Sequence, residues 1–206
     1  MPMKKNRRIF LIIVIVFCLA VILKDQVLRM MVIYSASKIT GAEVSIGRLS
    51  FGVINPSIKI KSCYLFNPRG FPNETLLAMP TIEARYKKDA LFKKPLHLNT
   101  LAVDIQEIVV VKNKDGKLNI EALDIFKKEN KPRHKKTAVL EVDTLTLNID
   151  RVIYKDFTQG ENPVVRKFDI GIKNKTYKNI NNMEQLATII LSESLGTSLS
   201  QIKGAW

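Results

Sequence analysis

Groups that do chemistry are scarce in this chain. Its 206 residues include two histidines and two cysteines. Neither His97 nor His134 has Cys, Asp or Glu at the spacing of a metal-ligand set. There is no Gly-x-Ser-x-Gly elbow, no glycine-rich phosphate loop and no His-Glu-x-x-His. Glu43, Glu83, Asp104, Glu107, Glu141, Asp143 and Asp150 are scattered over strand-like segments and read as solvated strand residues rather than an acid–base pair. These absences argue against an enzyme and call for no cofactor and no metal. Cys18, in an apolar run, and Cys63, at an apolar strand position, are not placed to form a disulfide. Cys63 reads as a small hydrophobe. The sequons at Asn73-Glu74-Thr75 and Asn174-Lys175-Thr176 matter only in a eukaryotic secretory lumen.

Acidic residues are also in short supply: 19 Asp and Glu stand against 33 Lys and Arg, a formal net charge of +14. A basic excess suits nucleic acid, an anionic membrane surface or acidic ligands. The basic residues are spread along the chain, without an arginine-rich helix or a recognisable nucleic-acid module, so nucleic acid is not an expected partner. Attraction to anionic lipid headgroups explains the charge economically. Solvated strand faces and turns explain it as simply.

Long apolar runs are limited to Ile9–Leu23, IFLIIVIVFCLAVIL, preceded by Lys4, Lys5, Arg7 and Arg8. Fifteen helical residues fall short of the roughly 30 Å hydrocarbon core. Val27, Leu28, Met30, Met31, Val32 and Ile33 continue the apolar helical segment, with Lys24 able to snorkel. A cleaved signal peptide competes, but Lys24-Asp25-Gln26 stands where a small-x-small site is needed. The expectation is therefore a single-pass inner-membrane anchor and juxtamembrane helix over 9–39. Residues 1–8 form its cytoplasmic basic tail, and the main domain lies in the periplasm. Gly41 is placed to end the helix.

What the chain does have is a strand-sized pattern: apolar, any, apolar, any, any, apolar, any, apolar. It occurs at Val44-Ile46-Leu49-Phe51, Ile58-Ile60-Cys63-Leu65, Leu96-Leu98-Leu101-Val103 and Leu140-Val142-Leu145-Leu147. A looser copy runs through Val165, Phe168, Ile170 and Ile172. Period-two alternation marks a half-buried strand. The three-residue step flips the apolar set to the other face unless a bulge or sharp twist keeps it on one.

The pattern predicts about eight strands, near 43–53, 57–67, 80–87, 96–105, 108–113, 139–149, 152–157 and 164–172. Asp115-Gly116 is a tight-turn signal. Asn119–Lys128 reads as a short amphipathic helix capped by Asn119. The stretch around 127–137 reads as a mobile basic linker, and 181–206 as a C-terminal helix on Met183, Leu186, Ile189 and Ile190. Leu96–Gly116 and Leu140–Gly160 align without a gap: Leu101 with Leu145, Val103 with Leu147, Ile105 with Ile149, Ile108 with Val152, Val110 with Tyr154. Each unit reads as a repeated β-hairpin. The fold class is then mainly β with helices (α+β): an N-terminal transmembrane helix, a strongly curved antiparallel sheet or groove over 40–180, and a C-terminal helix.

The order of motifs resembles the AsmA-like family of membrane-anchored envelope proteins. The likeness lies in the basic N-terminus and apolar run, then Thr40-Gly41, Val44-Ser45-Ile46-Gly47 and Asn67-Pro68-Arg69-Gly70-Phe71. It continues in Asp115-Gly116-Lys117-Leu118-Asn119 and Val152-Ile153-Tyr154-Lys155-Asp156, where Asp150-Arg151 replaces the family's glycine. It covers about Lys4–Lys173. The resemblance implies a curved β-groove related to bridge-like lipid carriers, phospholipid as partner, and a part in outer-membrane biogenesis. On that basis Val44, Ile46, Ile58, Ile60, Leu96, Leu98, Leu140 and Val142 are groove residues. Lys59, Lys61, Lys87, Lys88, Lys93 and Lys94 form a basic rim for headgroups. An ordinary sealed core against the C-terminal helix accounts for the same apolar residues. The alternative function is a non-enzymatic adaptor that binds an envelope protein, or a second copy, through a sheet edge.

Overall fold

The computed structural model describes residues 3–52, 54–87, 89, 95–126 and 140–203. Helix α1 (Met3–Thr40) leads into β1 (Val44–Gly52), β2 (Ser57–Phe66), β3 (Thr75–Tyr86), β4 (Leu96–Lys112), β5 (Leu140–Asp156) and β6 (Val164–Ile180). Helix α2 (Met183–Lys203) follows. The strands form one sheet in sequence order. All neighbours are antiparallel except β4 and β5, which run parallel.

Two expectations are corrected here. The sheet has six strands rather than about eight, is mixed rather than antiparallel, and is not strongly curled. The three-residue step at Ile105–Ile108 and Ile149–Val152 reads as a hairpin corner in sequence. In space it is an irregularity inside a continuous strand of 17 residues. The supposed hairpin repeat is thus two long strands side by side. Leu96 pairs with Leu140, Leu101 with Leu145, Ile108 with Val152 and Val110 with Tyr154, the alignment of the sequence repeat itself.

The second correction concerns the anchor and the inner-membrane, single-pass localisation built on it. Among the described residues, no helix is long and apolar enough to cross a membrane. The continuation that was to lengthen the span is committed elsewhere: Leu28, Val32, Ile33 and Ala36 pack against the sheet, and Arg29 and Asp25 bond to β1.

The repeated pattern has a single cause, visible in the ladders. The pairing skips Gly47 opposite Ser62, Ser62 opposite Pro80, and Gln106 opposite Asp150, and it shifts register between Ile149 and Arg151. These breaks line up into one crease across all six strands. Ser62 has φ 55° and Gly171 φ 62°, each an inserted turn of backbone that returns the next apolar side chain to the same face. Pro80, which has no N–H to donate, sits where the ladder is already broken. A second line of breaks runs through Tyr86, Asn99, Asp143 and Asn179, which has φ 58°.

One face therefore collects nearly every large apolar residue. Ile105, Ile108, Val110, Leu145, Leu147, Ile149 and Val152 are buried there, with Leu186, Ile189 and Ile190 of α2 above them. Val44, Ile46, Leu49, Cys63 and Leu65 lie under α1 with Ile120 and Leu123. Phe51, Leu77, Met79 and Ile82 touch both groups, so the core is continuous. The expected helix after Asn119 is instead a run of turns. Ala122 N donates to Asn119 O, Leu123 N to Ile120 O and Phe126 N to Leu123 O, each three residues back.

A candidate ligand cleft at the open end of the sheet

Helix α2 starts just beyond the end of β6 and covers the part of the sheet around Leu145 and Ile180. Among the described residues, no helix lies over the other end of the apolar face. There the turn after β4 and the ends of β4, β5 and β6 enclose a cleft of about 690 Å³. Its floor is Val110, Val152, Tyr154 and Phe168, with Leu118 on the turn side and Val164 on the β6 side. Lys112, Arg166, Asp156 and Glu121 stand at the rim. This volume lies within the usual range for small-ligand sites.

The rim is held by local sequence. Asn113 Oδ1 accepts from the amides of Asp115 (3.1 Å) and Lys117 (2.9 Å), and Gly116 N donates to Asn113 O. Gly116 has φ 79°, which the Asp115-Gly116 signal anticipates. This turn carries Leu118 back to bridge Lys112. At the end of β5, Asp156 Oδ1 accepts from Thr158 N (2.9 Å) and Thr158 Oγ1 (2.7 Å). These bonds, helped by the charge of Lys112, hold the Asp156 carboxyl below the usual carboxylate range. Tyr154 donates its hydroxyl hydrogen to Asp156 Oδ2 at 3.4 Å. Burial, then the Asp156 charge and hydrogen bond, push the Tyr154 hydroxyl above the usual phenol range against the opposing charge of Arg166.

The residues singled out from sequence fall elsewhere. Val44, Ile46, Leu98 and Val142 are buried in the core. Ile58, Ile60, Leu96 and Leu140 are half-buried against it. None of these eight lines the cleft. Lys59 is ion-paired with Glu83 on the opposite, polar face; Lys61 and Lys87 are exposed. Lys88, Lys93 and Lys94 lie outside the described residues, as does the basic linker from 127 onwards. What sequence reasoning missed is Leu118, Tyr154, Arg166 and Phe168 as a group. Val110 and Tyr154 were matched by the repeat, and that match was the available signal.

His97 is less isolated than its sequence neighbours suggest. Parallel pairing puts Glu141 opposite it, with Nε2 2.7 Å from Asp143 Oδ1 and Nδ1 3.7 Å from Glu141 Oε2. Among the described residues, no group of three or more His, Cys, Asp or Glu side chains is placed to hold a metal ion. Compared with protein-family models, curated proteins and solved structures, the chain matches none.

Proposed function

We propose that the chain is a non-enzymatic binder of an anionic amphiphile of the phospholipid class, with part of an acyl chain held in the cleft between β4, β5 and β6. The observation that carries this reading is the cleft itself: an apolar floor with Lys112 and Arg166 at its rim, at the one end of the apolar face that neither helix covers. Burying ten methylenes is worth about 8 kcal/mol before the cost of association. The cations at the rim supply attraction and orientation for a phosphate or carboxylate headgroup. The AsmA-like motifs point to the same ligand class and to a part in envelope biogenesis. Neighbouring strands add only about 5 Å each, so a six-stranded sheet suits a lipid-binding unit better than a bridge.

The test is native mass spectrometry of the full chain, with lipid extracted from the same sample. Stoichiometric phospholipid is expected in the wild type. The double variant Leu118→Glu, Phe168→Glu is expected to lose at least about tenfold of it, because both side chains are half-buried at the cleft and charge there opposes an acyl chain. Ile58→Asp with Ile60→Asp serves as a control away from the cleft. A lipid-free wild type, or full lipid retention in a folded cleft variant, overturns the reading.

A further inference from the structure

The two halves of the sheet's polar face treat charge differently. On β4 and β5 opposite charges meet: Arg151 Nε lies 3.9 Å from Glu107 Oε2, and His97 Nε2 lies 2.7 Å from Asp143 Oδ1. Strands β1 to β3 instead carry Arg48, Lys59, Lys61 and Arg85 against a single acid, Glu83. All four cations are exposed and alternate with Leu49, Ile58, Ile60 and Ala84, which pack into the core. They therefore stand on the face opposite the cleft.

The ladder fixes how they meet. Arg48 is directly opposite Lys61, Ser50 is opposite Lys59, and Ser57 is opposite Arg85. Glu83 is opposite Lys59 and ion-paired with it. Arg48 and Lys61 thus face each other as like charges, and among the described residues neither has an acidic partner. Lys59 is diagonal to Arg48, at about 8 Å. Like charges directly opposite one another destabilise a strand pair. Edge protection does not explain them, because α1 already closes the outer backbone of β1. Asp25 Oδ1 accepts from Phe51 N (3.2 Å), Arg29 Nη1 donates to Gly47 O (2.9 Å), and Ser37 Oγ accepts from Val44 N (3.2 Å). Toward the β1–β2 turn the basic face becomes concave. A second cavity of about 510 Å³ opens there, with Asn55, Ser57, Lys59, Glu83 and Arg85 in its lining.

We propose that the Arg48–Lys61 pair and the adjoining cavity bind a ligand bearing two or more phosphate groups. One phosphate sits between Arg48 and Lys61, with the exposed Ser50 beside them. Another reaches Arg85 in the cavity, whose neighbouring acid is already taken up by Lys59. The two rungs are four residues apart along the strands, about 14 Å, so one phosphate does not serve both. Phosphate suits converging cations because it brings up to two charges and three strong acceptor oxygens, which guanidinium forks engage in pairs. Single-stranded nucleic acid needs stacking platforms, and these rungs hold no aromatic residue. A free oligophosphate and a phosphorylated lipid headgroup share the required chemistry. The site is on the opposite face from the cleft and does not depend on it.

The experiment titrates the full chain with tripolyphosphate by calorimetry, with citrate as the carboxylate control. Tripolyphosphate is expected to bind with a Kd below about 1 mM, and citrate at least about fivefold more weakly. The double variant Arg48→Ala, Lys61→Ala is expected to weaken tripolyphosphate binding at least about tenfold. Both side chains are exposed, so the variant keeps its fold and its cleft lipid. Arg69→Ala with Lys117→Ala removes the same charge from exposed sites elsewhere, and is expected to change binding less than about twofold. Sedimentation with phosphatidylglycerol vesicles separates the two sources. Sedimentation that excess tripolyphosphate reverses assigns the site to a lipid headgroup, and tripolyphosphate binding without sedimentation assigns it to a free oligophosphate. No binding at about 10 mM tripolyphosphate overturns the proposal. Equal losses in the two double variants, or citrate binding as tightly, show attraction by charge alone and overturn it as well.

Discussion

At the scale of single residues, Asn119 does more than its place in a loop suggests. It is fully buried and makes four side-chain hydrogen bonds. Oδ1 accepts from Val111 N (3.0 Å) and Ile120 N (2.9 Å), and Nδ2 donates to Val109 O (2.8 Å) and Asn67 Oδ1 (2.7 Å). Asn67 in turn donates to Pro72 O. The Asn-Pro-x-Gly-Phe and Asp-Gly-x-x-Asn segments, far apart in sequence, are therefore joined at their asparagines. Asn119→Ala strands buried partners, each costing about 1–3 kcal/mol when unsatisfied. A loss of about 3 kcal/mol is expected in urea unfolding; a loss below about 1 kcal/mol would show that water replaces the side chain. The sequence marked Asn119 as a helix cap, because an Asn before an apolar period looks the same whether helix or turns follow. Its real partners come from β4 and the loop before β3, which no local rule supplies.

At the scale of elements, α1 has two faces with two tasks. Leu28, Val32, Ile33 and Ala36 close the core over β1 and β2, while Asp25, Arg29 and Ser37 close the edge. Gly41 ends the helix at φ 70°, its amide donating to Ser37 O, and a Cβ there would lie 2.3 Å from Asp124 Oδ2. Replacing Asp25 and Arg29 together with Ala removes the edge cover but little of the apolar contact. The expected result is a modest loss of stability, about 1–2 kcal/mol, with a shift toward dimers or larger species in light scattering. A variant that stays monomeric at high concentration would mean that bulk shielding by the helix suffices. The apolar stripe of α1 was readable in sequence, but it was assigned to lipid. Periodicity shows that a helix has an apolar face; it does not say whether lipid or protein covers it.

At the scale of the whole molecule, titration brackets the range of stability. On the acid side, Glu193 of α2 accepts from Lys175 Nζ (2.7 Å) and from the Tyr177 hydroxyl of β6. These bonds hold its carboxyl below the usual range, as Thr158 and Lys112 do for Asp156. Groups depressed on folding contribute stability above their unfolded values, about 4, and lose it as pH falls through the folded ones. On the alkaline side, burial raises the Cys63 thiol to about 11 and raises the hydroxyls of Tyr86, Tyr154 and Tyr177. The unfolded chain ionises first, so stability falls as pH rises through about 9 to 11. Urea midpoints from pH 3 to 11 should give a plateau between about pH 5 and 8.5 with both flanks falling. Glu193→Gln should shrink the acid flank, and Cys63→Ala the alkaline one. A flat profile would contradict these environments.

The sequence by itself marked the apolar residues that the core uses, through alternation broken by a three-residue step; that they share one face was decided by the irregularities at Ser62 and Gly171. It also showed that Leu96–Gly116 and Leu140–Gly160 match position by position, which is the alignment in which β4 and β5 pair. Only the tertiary structure decided that those strands run parallel, because an alternating pattern reads the same against a neighbour of either direction. It likewise decided where the sheet stays open. Among the described residues, the cleft at Val110, Tyr154 and Phe168 stays uncovered because α1 and α2 settle over other parts of the sheet. Where a helix settles depends on contacts between segments far apart in the chain.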